Sequence, residues 1–336
     1  MAAWADVQVQ FPPDGPLSAV SVDTAGSRAS TIGGALILDV HASLQIKNNS
    51  GQAIRAVTLL VTAEELTAGG KASVTVPSLD VRPGDTFPVR VDLRLLRPRG
   101  GWSAPVKITV DGVLFDTLGF YGPNKLNSRR SMLTWEMEAR RDRKYFADVL
   151  SKRGGEGLRS EMVASLARQE SAPRLDVQMT RGRTTSAEAG QEVRLAAMNL
   201  AGAPVEILGG AAHAVEREFR LPRVELRSRA AKDIRFVDIG WIVRSGGNDR
   251  PAGSLPASLD LAPGARGAVE EPVILRFPVA VDRLTGFVAS IEYADGTVWI
   301  PSREAARGVS PEEQRLTGIY RRKGIDALVE ELQKFQ

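Results

Sequence analysis

Phe87-Pro88-Val89-Arg90-Val91-Asp92-Leu93-Arg94 alternates apolar and polar side chains with a period of two. An extended strand then carries Phe87, Val89, Val91 and Leu93 on one face and Pro88, Arg90, Asp92 and Arg94 on the other. Pro88 stands at the strand's start, where a missing N–H is tolerated. The same period recurs in Val7-Gln8-Val9-Gln10-Phe11, Ala42-Ser43-Leu44-Gln45-Ile46, Ala72-Ser73-Val74-Thr75-Val76, Leu175-Asp176-Val177-Gln178-Met179 and Val193-Arg194-Leu195. Short strands at this spacing, broken by Gly, Pro, Asn and Asp, predict an antiparallel sandwich or barrel.

Two stretches break the alternation. Ser128 to Gln169 is rich in Arg, Glu, Met, Leu and Ala and contains no Pro. Met132, Trp135, Ala139, Phe146 and Val149 fall near one helical face, and Glu136 with Arg140 makes an i,i+4 pair expected on the exposed side. Gly154-Gly155 interrupts, Leu158 to Arg168 reads as a second, shorter helix, and Ser171-Ala172-Pro173 ends it. The second stretch is Pro311 to Phe335, with a stripe of Leu316, Ile319, Tyr320, Leu328, Leu332 and Phe335 and a break at Gly324. Ser310 suits its N-cap, Pro311 its first position, and Glu313 stands three residues after the cap. The reading gives strands over 1–127, a helical segment over 128–172, strands over 173–309 and a C-terminal helix over 310–336.

The halves also resemble each other. Asn48-Asn49-Ser50-Gly51 pairs with Asn199-Leu200-Ala201-Gly202 at an offset of 151, and Ser78 to Gly84 with Ser258 to Gly264 at 180. Phe87 to Asp92 pairs with Phe277 to Asp282 at 190, Asp111-Gly112 with Asp295-Gly296 at 184, and Leu133-Thr134 with Leu316-Thr317 at 183. Five landmarks in one order imply a duplicated unit. The changing offsets imply an insertion around Ile207 to Arg235 in the second copy and a loop, Arg97 to Trp102, particular to the first. The Asp-Gly pairs read as hairpin turns and Pro83-Gly84 and Pro263-Gly264 as turn pairs, because Gly supplies positive φ.

Asn48-Asn49-Ser50-Gly51-Gln52-Ala53-Ile54, the run Val57-Thr58-Leu59-Leu60-Val61, and Leu79-Asp80-Val81-Arg82-Pro83-Gly84 together resemble bacterial immunoglobulin-like domains of secreted and surface proteins. The resemblance covers the strands of each unit and not the helices. It implies a mainly β chain of two tandem immunoglobulin-like antiparallel β-sandwiches, each followed by a helical segment. It also implies an extracytoplasmic setting, and it carries no catalytic residues.

Composition narrows the chemistry. The 336 residues are 43% hydrophobic and 25% charged, enough for two cores of ordinary size. Forty-four basic residues against forty acidic ones give +4, far from the dense field of a nucleic-acid binder. Cysteine is absent, which excludes disulfides, thiolate metal sites and cysteine nucleophiles. No apolar run reaches the ~18 residues of a membrane-spanning helix. The start lacks a charged n-region and an apolar h-region, which leaves either a cytoplasmic protein or one that begins after a removed leader; Ala2-Ala3-Trp4-Ala5 resembles the small-residue end of a cleaved leader and favours a periplasmic or extracellular location.

His41 and His213 are the only histidines for a serine triad, no Gly-x-Ser-x-Gly elbow is present, and neither a phosphate cradle nor a calcium loop occurs. The reading therefore expects no catalytic residue, no cofactor and no metal. Its interaction candidates are the basic run Arg140, Arg141, Arg143 and Lys144, weighed against a solvated helix face, and Trp102 in the loop of the first copy. The expected function is a non-enzymatic interaction or structural protein whose partner is another protein or a cell-surface component. A carbohydrate-binding or adhesive module and a carboxylate-based hydrolase remain as alternatives.

Overall fold

The computed structural model describes residues 7–32, 35–63, 71–98, 106–181 and 190–335. Trp102, Trp4, the Ala2-Ala3-Trp4-Ala5 stretch and most of the Arg97 to Trp102 loop lie outside these residues. The chain is mainly β and divides into two compact units, 1–136 and 137–336.

Unit 1 contains β1 (Val7–Gln10), β2 (Leu17–Asp23), β3 (Arg28–Ile32), β4 (Ala35–Asn48), β5 (Ile54–Ala63), β6 (Lys71–Val76), β7 (Thr86–Pro98), β8 (Val106–Phe115) and β9 (Phe120–Tyr121). They form two sheets. One runs β1-β8-β5-β6, with β9 on β8; the other runs β2-β4-β3, with β7 on β4. β1 joins β8 in parallel, and the other pairings are antiparallel. Phe87, Val89 and Val91 of β7 and Val40, Ala42, Leu44 and Ile46 of β4 share one core with Val57, Leu59, Val61, Ile108 and Val113 of the other sheet. The period-two pattern thus sorts one face of each sheet inward, and each buried Val, Leu or Phe contributes ~1.5–3 kcal/mol.

The Asn48 turn is a closed hydrogen-bond unit. Asn48 is fully buried; its Nδ2 donates to the Gln52 and Val81 carbonyls, and its Oδ1 accepts from the N–H and hydroxyl of Ser50. Gly84 and Gly264 have positive φ, as their turns require.

Helix α1 (Ser128–Ser171) begins in unit 1 and continues into unit 2. Unit 2 also holds β10 (Gln178–Arg181), β11 (Gln191–Arg194), β12 (Ala196–Met198), β13 (Val205–Val215), β14 (Glu218–Ser228), β15 (Ile234–Ser245), β16 (Asn248–Leu261), β17 (Arg266–Glu270), β18 (Val273–Arg276), β19 (Arg283–Tyr293), β20 (Val298–Trp299) and α2 (Pro311–Gln333). One sheet runs β12-β19-β15-β16, with β20 on β19; the other runs β10-β18-β14-β13-β11, with β17 on β14. Both feed one core that includes Trp241, Phe277, Leu226 and Ile239.

The first sheets of the two units share one wiring. β12 joins β19 in parallel, as β1 joins β8, and β15, β16 and β20 repeat β5, β6 and β9. Three bulges coincide as well, while unit 2 has two more, at Ala212 and Trp241, without a counterpart among the described residues of unit 1. Skipping Val20, β2 pairs Ala19 with Ile46 and Ser21 with Gln45; skipping Leu208, β13 pairs Ile207 with Leu226 and Gly209 with Glu225. On β5 and β15 the skipped residues are Arg55 and Arg235, and on β8 and β19 they are Asp111 and Ala289. Bulges are specific local features, so the three at matching places give a register for comparing the two units.

That register corrects the match made by sequence letters. Asn48 corresponds to Ser228, not Asn199: their N–H groups donate to Asp85 and Ala265, the residues following Gly84 and Gly264. Phe87 lies opposite Ile46, and Gly267 lies opposite Leu226, so Phe87 corresponds to Gly267. Phe277 follows the end of β18 instead. Ile207 to Arg235 is no insertion but most of β13 and β14 and the start of β15. Asp295-Gly296 does make the β19–β20 turn, where the Gly296 N–H donates to the Tyr293 carbonyl. Asp111-Gly112 sits inside β8, and residue 112 is glycine where the Phe120 ring would stand 2.6 Å from a Cβ. Leu175 to Val177 precedes β10 rather than joining it.

The helices follow their sequence signals closely. In α1 the backbone leaves helical geometry at Gly154 (φ 65°), and in α2 at Gly324 (φ 87°). Positive φ is costly for residues with a Cβ, so glycine marks both corners. Ser310 caps α2 by accepting from the Glu313 N–H at 3.0 Å, with Pro311 in the first turn. Glu136, expected on the exposed side, is buried at 3% exposure.

Candidate functional site

The basic run on α1 lies in a buried ionic cluster of unit 2. Arg141 grips Asp142 through Nε and Nη2 at 2.9 and 3.0 Å and donates to the Pro301 carbonyl. Asp142 is fully buried and also accepts from Arg303 at 3.1 Å and from the Ser310 hydroxyl at 2.5 Å. Arg143 is 5% exposed, stands 3.7 Å from Glu312, and stacks on the Phe335 ring at 3.9 Å. Arg140 is half-buried, and Lys144 alone of the four is exposed. The run therefore serves mainly as an internal clamp.

Arg303 is the centre of this clamp. It bonds Asp142 and Glu313, the latter at 2.6 Å, and lies over the Tyr145 and Phe146 rings at 4.2 and 4.7 Å. Burial alone would depress its pKa, but the bonds and charge of Glu313 and Asp142 raise it. Burial likewise pushes Glu313 up, and hydrogen bonds from Arg303, Ser165 and Arg168 outweigh it and hold the carboxyl below its ordinary range. Arg315 bridges Glu312 at 2.7 Å and Glu331 at 2.5 Å. Below the charges, Phe146, Val149, Leu158 and Met162 of α1 pack with Leu316, Leu328 and Leu332 of α2.

Glu138 differs from its neighbours. Burial raises its pKa to about 7; Asp142 and Asp238 add to the rise, and Arg141 and Arg174 oppose it.

In unit 1 the Asp111 carboxylate is fully buried, 0% exposed. It accepts from the N–H groups of Lys125 and Leu126 at 2.7 and 3.3 Å and from the Ser128 hydroxyl at 3.0 Å. It thereby anchors the chain entering α1, where an anion also meets the positive end of the helix. Its Asp-Gly context signals a turn, and only the strand register exposes the anchoring role.

His41 lies on the exposed face of β4, its Nδ1 2.8 Å from Asp92 Oδ1. The hydroxyl of Ser27 bonds the His41 backbone and leaves the ring alone. His213 is a half-buried residue of β13. A cleft of about 550 Å³ opens in unit 2 beside Asp176, Gln178, Glu216, Arg217, Glu218 and Arg276. Hydrogen bonds from Arg276 and Arg220 hold the carboxyl of Glu218, one of its lining residues, below its ordinary range, so that carboxylate is already committed.

No family model matches the chain, and no curated protein matches it. Among solved structures it is similar, at 10% identity, to one titled pT26-6p, over 93% of this chain and 73% of that one with a TM-score of 0.17. It is similar at 10% identity to the CupB6 tip adhesin from Pseudomonas aeruginosa, over 86% and 97% with a TM-score of 0.09. Vicilin from Corylus avellana (hazelnut) is similar at 11% identity, over 80% and 87%, with a TM-score of 0.09. Likenesses at such TM-scores carry no argument.

Proposed function

We propose that the chain is a non-enzymatic interaction or structural protein of the periplasm or cell surface, built from two tandem copies of one immunoglobulin-like sandwich-and-helix unit. The observation that carries the tandem reading is the recurrence of the parallel edge strand and the three bulges in one order. The extracytoplasmic setting rests on the resemblance of the Asn48 and Pro83-Gly84 turns to secreted domains.

Binding is favoured over hydrolysis by the state of the buried acids. A carboxylate pair that hydrolyses a bond needs one protonated member and an open site between the two. Asp142 and Glu313 instead share Arg303 and hold further cations and hydroxyls. The clamp fixes α1 against α2 and leaves loops and strand edges as the surface for a protein or cell-surface partner.

The test is a pull-down from envelope extract with the full chain as bait. One stoichiometric partner supports the reading, whereas recovering none, together with glycosidase activity lost in Asp142→Asn, would replace it with the hydrolase.

A further inference from the structure

We draw no further inference here: the strongest candidate, the cleft of unit 2 between the start of β10, the β13–β14 turn and the end of β18, has its Glu218 already bonded to Arg220 and Arg276, and nothing in the structure points to a ligand for its remaining acids, the exposed Asp176 and Glu216.

Discussion

The two units share the wiring of one sheet and the places of three bulges, yet start their helices differently. In unit 1 the buried Asp111 of β8 holds the entry to α1. Its counterpart in unit 2 is Ala289, which has no carboxylate to offer. There the N-cap Ser310 of α2 is held by Asp142, a residue of α1. One job, pinning a helix start with a buried acid, is done by a strand in one unit and by the other helix in the second. Backbone wiring is preserved where hydrogen-bond ladders enforce it, whereas the side chain that closes a corner can be supplied from another element.

Removing the two acids should separate these solutions. Asp142→Ala strands Arg141, Arg303 and Ser310 in a buried site and is expected to cost about 3–5 kcal/mol by chemical denaturation. Asp111→Ala removes the acceptor of two backbone N–H groups and one hydroxyl and is expected to cost about 2–3 kcal/mol. Its protection loss in hydrogen exchange should concentrate on 124–132, and that of Asp142→Ala on 303–317. Identical exchange patterns would erase the distinction between the units.

Glu138 adds a pH dependence confined to unit 2. Burial holds its folded pKa at about 7, above the ordinary 4.5 of a glutamate. Between those values the folded state retains the proton more strongly than the unfolded state, so stability falls as pH rises from about 4.5 to 7 and is then level. Glu138→Gln should flatten this slope and raise stability at pH 8 by about 1–2 kcal/mol, allowing for partial solvent contact. An unchanged slope of denaturation free energy from pH 5 to 8 would remove Glu138 from the account. The smallest effects belong to the corners: Gly154→Ala and Gly324→Ala, both at positive φ with open space around them, should each cost about 1 kcal/mol. Markedly unequal values would mean that the two corners are not equivalent.

Local patterns were legible in the sequence where one rule dominates. The alternation of Phe87, Val89 and Val91 gave an inward face, Ser310-Pro311 with Glu313 gave a capped helix, and Gly154 and Gly324 gave its corners. Competing rules hid the rest. Asp111-Gly112 carries a turn signal, but Gly112 is there to accommodate the Phe120 ring. Arg143 and Glu136 follow a solvated charge pattern, yet both are buried, because partners such as Glu312 for Arg143 come from distant sequence. The match of Asn48 with Asn199 compared letters, whereas strand pairing compares ladder positions.

Because the chain has no cysteine, paired cysteines test the shared register most directly. Leu17 is the cross-strand partner of Asn48, and Val205 of Ser228. Directly opposed antiparallel residues lie within reach of a disulfide. Leu17→Cys with Asn48→Cys, and Val205→Cys with Ser228→Cys, should each form an intramolecular disulfide under mild oxidation while the fold is retained. Cross-linking of the first pair without the second, in a folded chain, would contradict the shared register of these two strand pairs.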